Sequence, residues 1–96
     1  MTDLGTIQST IRRQKPTLRK RFKVSKIGIF GSWAKGLARK TSDIDVLIEL
    51  SEPIGLDLIA LQGYLEELLG RKVDLVTVKA LRESMRDSIL KEVVYV

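Results

Sequence analysis

Residues 43–78 read as a strand, a helix and a second strand, and no other feature narrows the fold of this chain so far. Residues 43–50 (DIDVLIEL) set Ile44, Val46, Ile48 and Leu50 at period two, with Asp43, Asp45, Leu47 and Glu49 between them. Pro53 and Gly55 mark a loop. Residues 56–69 then form an amphipathic helix with Ile59, Leu61, Leu65, Leu68 and Leu69 on its apolar face, and Gly70 is placed to cap it. Residues 72–78 (KVDLVTV) are the next strand. Such a run fits a right-handed parallel crossover, in which both strands start at one end of the sheet. Asp43 and Asp45 open the first strand and Asp74 lies near the start of the second, so three acids are expected at that end.

The N-terminal part supplies another strand. Residues 4–14 suit a helix with Leu4, Ile7 and Ile11 on one face. Pro16 is expected to interrupt it, with a second helical piece running to about Phe22 and carrying Leu18 and Phe22. Residues 26–30 (KIGIF) are short, apolar and β-branched, and they run into Gly31-Ser32. If this strand is antiparallel to the one at 43–50, the Gly-Ser bend reaches the same end as the acids. Ser32 is expected to cap a short helix at 33–38, and residues 81–94 form a last helix. The expected architecture is α+β (α/β-like): one domain over residues 1–96, with helices flanking a small mixed sheet. Three strands are accounted for, and a fourth if the C-terminus adds one.

Composition limits the chemistry. There is no Cys and no His, which removes thiol nucleophiles, the commonest general base and the usual zinc ligands. Catalysis must use carboxylates, hydroxyls, Lys, Arg, Tyr or a hard cation, and oxygen ligands favour Mg²⁺, Mn²⁺ or Ca²⁺. The apolar runs fall far short of the roughly 20 residues that span a bilayer, and residues 1–5 lack the character of a signal peptide. A cytoplasmic protein with no membrane association is therefore expected. Residues 1–40 hold eleven Lys/Arg against the single acid Asp3, and residues 41–96 hold six against eleven acids. A basic half attracts phosphates or acidic partners, although solvated helix faces give the same statistic. No recognised nucleic-acid motif accompanies it, so direct nucleic-acid binding is not expected.

Residues i and i+2 of a strand share a face about 6–7 Å apart, so Asp43 and Asp45 repel each other unless a cation lies between them. Mg²⁺ binds through a few carboxylates plus substrate phosphates. Asp74 would add a third ligand and could accept a proton from an attacking hydroxyl. Taken singly, Asp43-Ile44-Asp45 and Asp74 are equally what the solvent side of a half-buried strand presents. Gly31-Ser32 ahead of a helix offers backbone N–H groups and a hydroxyl to a phosphate, or is a plain strand-to-helix turn. Lys35 assists a phosphate or is a solvated surface lysine. Glu49 lies too far along the strand to share an ion with the pair. Tyr64 and Tyr95 read as packing or interface residues, with self-modification as a further option.

The combination is more specific than its parts. Gly31-Ser32, ten intervening residues and Asp43-x-Asp45 resemble the signature of the nucleotidyltransferase superfamily that includes DNA polymerase β. The stretch FGSWAKGLARKTSDIDVLIEL, the helical N-terminus and the VDLV strand resemble the minimal nucleotidyltransferase (MNT) family across nearly the whole chain. That resemblance implies a nucleotidyltransferase fold, metal-binding and catalytic roles for Asp43, Asp45 and Asp74, and nucleotide contacts from Gly31, Ser32 and Lys35. It implies two Mg²⁺ ions, replaceable by Mn²⁺, with ATP as substrate. It also implies an antitoxin that transfers AMP to a tyrosine of a partner HEPN ribonuclease toxin. A nucleotidyltransferase acting on a small molecule or an RNA end, or an antitoxin that neutralises by binding alone, are the alternatives. The chain departs from many relatives in carrying Trp33, where they have Arg after the Gly-Ser. Trp33 is expected to pack on the sheet or to stack on a base or ribose.

Overall fold

The computed structural model describes residues 3–96, in the order α1 (Leu4–Phe22), β1 (Val24–Phe30), α2 (Gly31–Lys35), β2 (Ile44–Leu50), α3 (Asp57–Leu69), β3 (Val73–Thr77), a 3-10 turn (Val78–Ala80), α4 (Glu83–Glu92) and β4 (Val94–Tyr95). The sheet order is β3-β2-β1-β4. β2 and β3 are parallel and joined through α3, while β1 is antiparallel to both β2 and β4. The crossover and the mixed sheet are thus as the sequence suggests, and the C-terminus does supply the fourth strand.

The strands bury alternate residues on opposite faces. Ile27 and Ile29 of β1, Ile44, Val46 and Ile48 of β2, and Val73 of β3 meet Ile7, Ile11, Leu18 and Phe22 of α1 and Leu61 and Leu65 of α3. Each such side chain contributes about 1.5–3 kcal/mol when removed from water, so this layer dominates the stability. On the other face, Phe30 and Leu47 pack under Ile89 of α4, with Val76, Val78, Leu81 and Val93 around them.

Three local expectations are corrected. Pro16 does not break α1, which runs unbroken from Leu4 to Phe22. Pro16 is exposed, so its missing N–H falls on the solvent side, while Ile11 and Leu18 on either side of it are held in the core. Packing of that apolar stripe outweighs the lost hydrogen bond. Ser32 is not the cap of α2; the helix starts at Gly31, and Phe30 stands at the capping position without a side-chain bond. Ile59 is 71% exposed and does not belong to the buried side of α3, which Leu61 and Leu65 define. Gly70 does cap α3, in the left-handed conformation.

Candidate active site

Strand register brings the sequence-predicted acids together. Asp45 lies opposite Phe30 in the antiparallel ladder and opposite Asp74 in the parallel one. Because Ile44, Val46 and Val73 point into the larger core, the alternation sends Asp45 and Asp74 to the α4 face, the side on which Leu47 and Val76 pack. Asp43 stands just ahead of β2 and is exposed, as Asp74 is, whereas Asp45 is half-buried. Among the described residues, no three His, Cys, Asp or Glu side chains converge closely enough to hold an ion as they stand.

The electrostatics centre on Asp45. Burial, then the charges of Asp74 and Asp43, raise its pKa from the ordinary 3.8 to about 6. A carboxylate under that pressure is relieved by a bound cation, and an all-carboxylate set in a chain without His or Cys has the chemistry of a hard divalent ion. The residues present therefore fit such an ion.

β1 delivers Gly31 to the same place. Gly31 has φ +71°, and a Cβ built on it would fall on Oδ2 of Asp45. Both the backbone conformation and the space demand glycine, because the main chain passes directly against the carboxylate. Ser32 follows, half-buried, and Lys35 ends α2 with its amine exposed.

Glu92, which the sequence reading passed over, completes this corner. Its Oε1 accepts the Gly31 N–H at 3.1 Å, and its Oε2 lies 3.2 Å from the Lys35 amine. These two bonds hold the Glu92 carboxyl below the usual range. The one signal available was an acid in the last turn of a helix, where the backbone dipole favours cations.

Trp33 packs rather than facing a ligand: it is 8% exposed and belongs to the larger core. The Arg71 guanidinium lies 5.0 Å from its ring centroid, and Arg71 Nη1 donates to the Lys40 carbonyl at 2.6 Å. Trp33 Nε1 donates to the Ser42 carbonyl at 3.4 Å. Trp33 and Arg71 thereby tie down the loop that delivers Asp43. A groove of about 350 Å³ lies at the opposite end of the sheet, among Leu50, Ile54, Leu58 and Val78. Its lining is mostly apolar, with Glu49, Glu52 and Lys79 at its edge, and it holds none of Asp43, Asp45 and Asp74.

Comparison with known proteins agrees with this geometry. A family model described as a nucleotidyltransferase domain matches residues 11–96. The protein adenylyltransferase MntA of Thermococcus cleftensis is 44% identical, over 100% of this chain and 98% of its own length. A solved "putative minimal nucleotidyltransferase" superposes with a TM-score of 0.81 at 35% identity, covering 97% of this chain and 95% of the other. A complex described as a tri-AMPylated Shewanella oneidensis HEPN toxin with an MNT antitoxin gives a TM-score of 0.69. That likeness covers 95% of this chain and 69% of the other, and at 17% identity it speaks for the fold alone. The chain belongs to the nucleotidyltransferase family, among its minimal members. Within that family it is an enzyme of the type of the protein adenylyltransferases.

Proposed function

We propose that this chain is a divalent-metal-dependent protein adenylyltransferase that acts as an antitoxin, moving AMP from ATP to a tyrosine of a HEPN-type toxin in the cytoplasm. The observation that carries the reading is the in-register pairing of Asp45 with Asp74 beside Gly31. The 44% identity to a protein adenylyltransferase supports the choice of donor, and the AMPylated toxin bound to a protein of the same fold is the basis for the proposed acceptor.

In the reaction, the tyrosine oxygen bonds to the α-phosphorus, the bond from that phosphorus to the β-phosphate oxygen breaks, and pyrophosphate leaves. Asp43, Asp45 and Asp74 would hold Mg²⁺, or Mn²⁺ in its place. When bound, two such ions supply activation of the attacking oxygen and neutralisation of the leaving phosphates. Asp74, which is exposed, would take the tyrosine proton. The Gly31 N–H, the Ser32 hydroxyl and Lys35 bind the phosphates, and Gly31 lets the donor approach the carboxylates. Asp43 and Asp74 are exposed, so the acceptor's own surface would complete the site and exclude water.

Incubating the purified chain with ATP, Mg²⁺ and the partner toxin should add one or more AMP masses to a partner tyrosine, read by mass spectrometry. An intact complex whose toxin stays unmodified would overturn the reading in favour of neutralisation by binding.

A further inference from the structure

Glu92 bonds to the groups that the nucleotide reading reserves for phosphate. Its two oxygens are used separately, one on the Gly31 N–H at 3.1 Å and the other on the Lys35 amine at 3.2 Å. A phosphate uses its non-bridging oxygens in the same manner. We propose that Glu92 is an internal stand-in for the nucleotide's phosphate: it occupies their position in the free protein, gives way when the nucleotide arrives, and so sets the nucleotide affinity. This inference rests on the reading of Gly31 and Lys35 as phosphate ligands.

The surroundings make the arrangement reversible. Through its bond to Gly31, Glu92 stands beside the acidic pair, because the Gly31 backbone passes directly against Asp45. It stands on the last residue of α4, where the helix dipole opposes a negative charge. Its side chain is 25% exposed, so a rotamer change carries the carboxylate into water without unpacking the core. Of α4, only Ile89 is buried, and the short β4 beyond it pairs through Gly28↔Tyr95 and Ile29↔Val94, with the Val96 N–H also donating to the Ile27 carbonyl. The Gly31 and Lys35 bonds keep the carboxyl ionised, so the position is held by a full negative charge.

A purely structural tie between α4 and α2 predicts the opposite sign, because its removal would loosen the phosphate-binding corner. The test is calorimetric titration of Mg²⁺ with α,β-methylene ATP, whose α–β bridge cannot be cleaved, into the wild-type chain, Glu92→Ala, Glu92→Gln and Asp45→Asn. Circular dichroism checks that each is folded. The expected result is binding about tenfold tighter for Glu92→Ala than for the wild type, as removal of a competing closed state requires. Glu92→Gln should fall between, since its carbonyl still accepts from Gly31 but no longer pairs with Lys35. Inorganic triphosphate without divalent cation should show the same order.

Wild-type binding that Asp45→Asn weakens, with Glu92→Ala no tighter than wild type, would overturn the stand-in and leave the nucleotide site intact. Failure of the folded wild type and of both Glu92 variants to bind α,β-methylene ATP would overturn the nucleotide reading and this inference together. Should Glu92→Ala fail to fold, the comparison of Glu92→Gln with wild type decides the matter by the same signs.

Discussion

The two faces of the sheet use alternate residues of the same strands to different ends. One face is continuous hydrocarbon, closed by Ile7, Ile11, Leu18 and Phe22 of α1 and by Leu61 and Leu65 of α3. The other begins with Leu47 and Phe30 under Ile89, and toward the start of β2 and β3 it gives way to Asp45 and Asp74. Folding energy is concentrated on the first face. The second can therefore carry mutually repelling carboxylates without endangering the fold.

The largest effect that would test this division is on transfer. Asp45→Asn should lower AMP transfer about a thousandfold while the chain stays folded, since a metal site contributes several kcal/mol to such a step. Activity within tenfold of wild type, measured by nucleotide incorporation, would mean that the acidic face is not the reacting one. Next, Leu61→Ala, in the fully buried layer, should destabilise by about 3 kcal/mol in denaturant unfolding. Ile89→Ala should cost about 1–2 kcal/mol by the same measurement, because solvent and neighbouring side chains collapse into so thin a layer. Equal losses at the two positions would erase the contrast between the faces.

The smallest effect concerns pH in the presence of a chelator. Asp45 is raised in the folded chain from 3.8 to about 6, so between these values the native state keeps a proton that the unfolded chain has released. Stability should therefore fall as the pH rises from about 4 to about 6, with the cost complete above that window. After allowance for solvent screening the loss is about 1 kcal/mol, because Asp45 is only half-buried. Asp45→Asn should flatten the profile and be the more stable protein at pH 7, as unfolding curves across the window would show. A wild-type profile that climbs through the window would contradict the crowding of charge at Asp45.

What the sequence revealed and concealed follows from the range of the interactions. Period-two burial in DIDVLIEL and the helix after it were enough to infer the parallel crossover, and with it the meeting of Asp45 and Asp74. Local rules failed where a distant element intervened. Pro16 reads as a breaker until α1 is seen held by Ile11 and Leu18 on the side away from it. Ile59 fits the helical period, yet α3 turns that position to solvent. Ser32 looks like a cap, but Gly31 already starts the helix because the backbone must pass against Asp45. Glu92 was invisible because its partners, Gly31 and Lys35, are some sixty residues away in the chain.

The chain has one tryptophan, and it is buried beneath Arg71 at the foot of the loop that ends in Asp43. Its emission is therefore an unlabelled optical reporter. Any ligand that draws that loop inward alters the polarity around a lone indole, so occupancy is readable in a fluorimeter without modifying the protein.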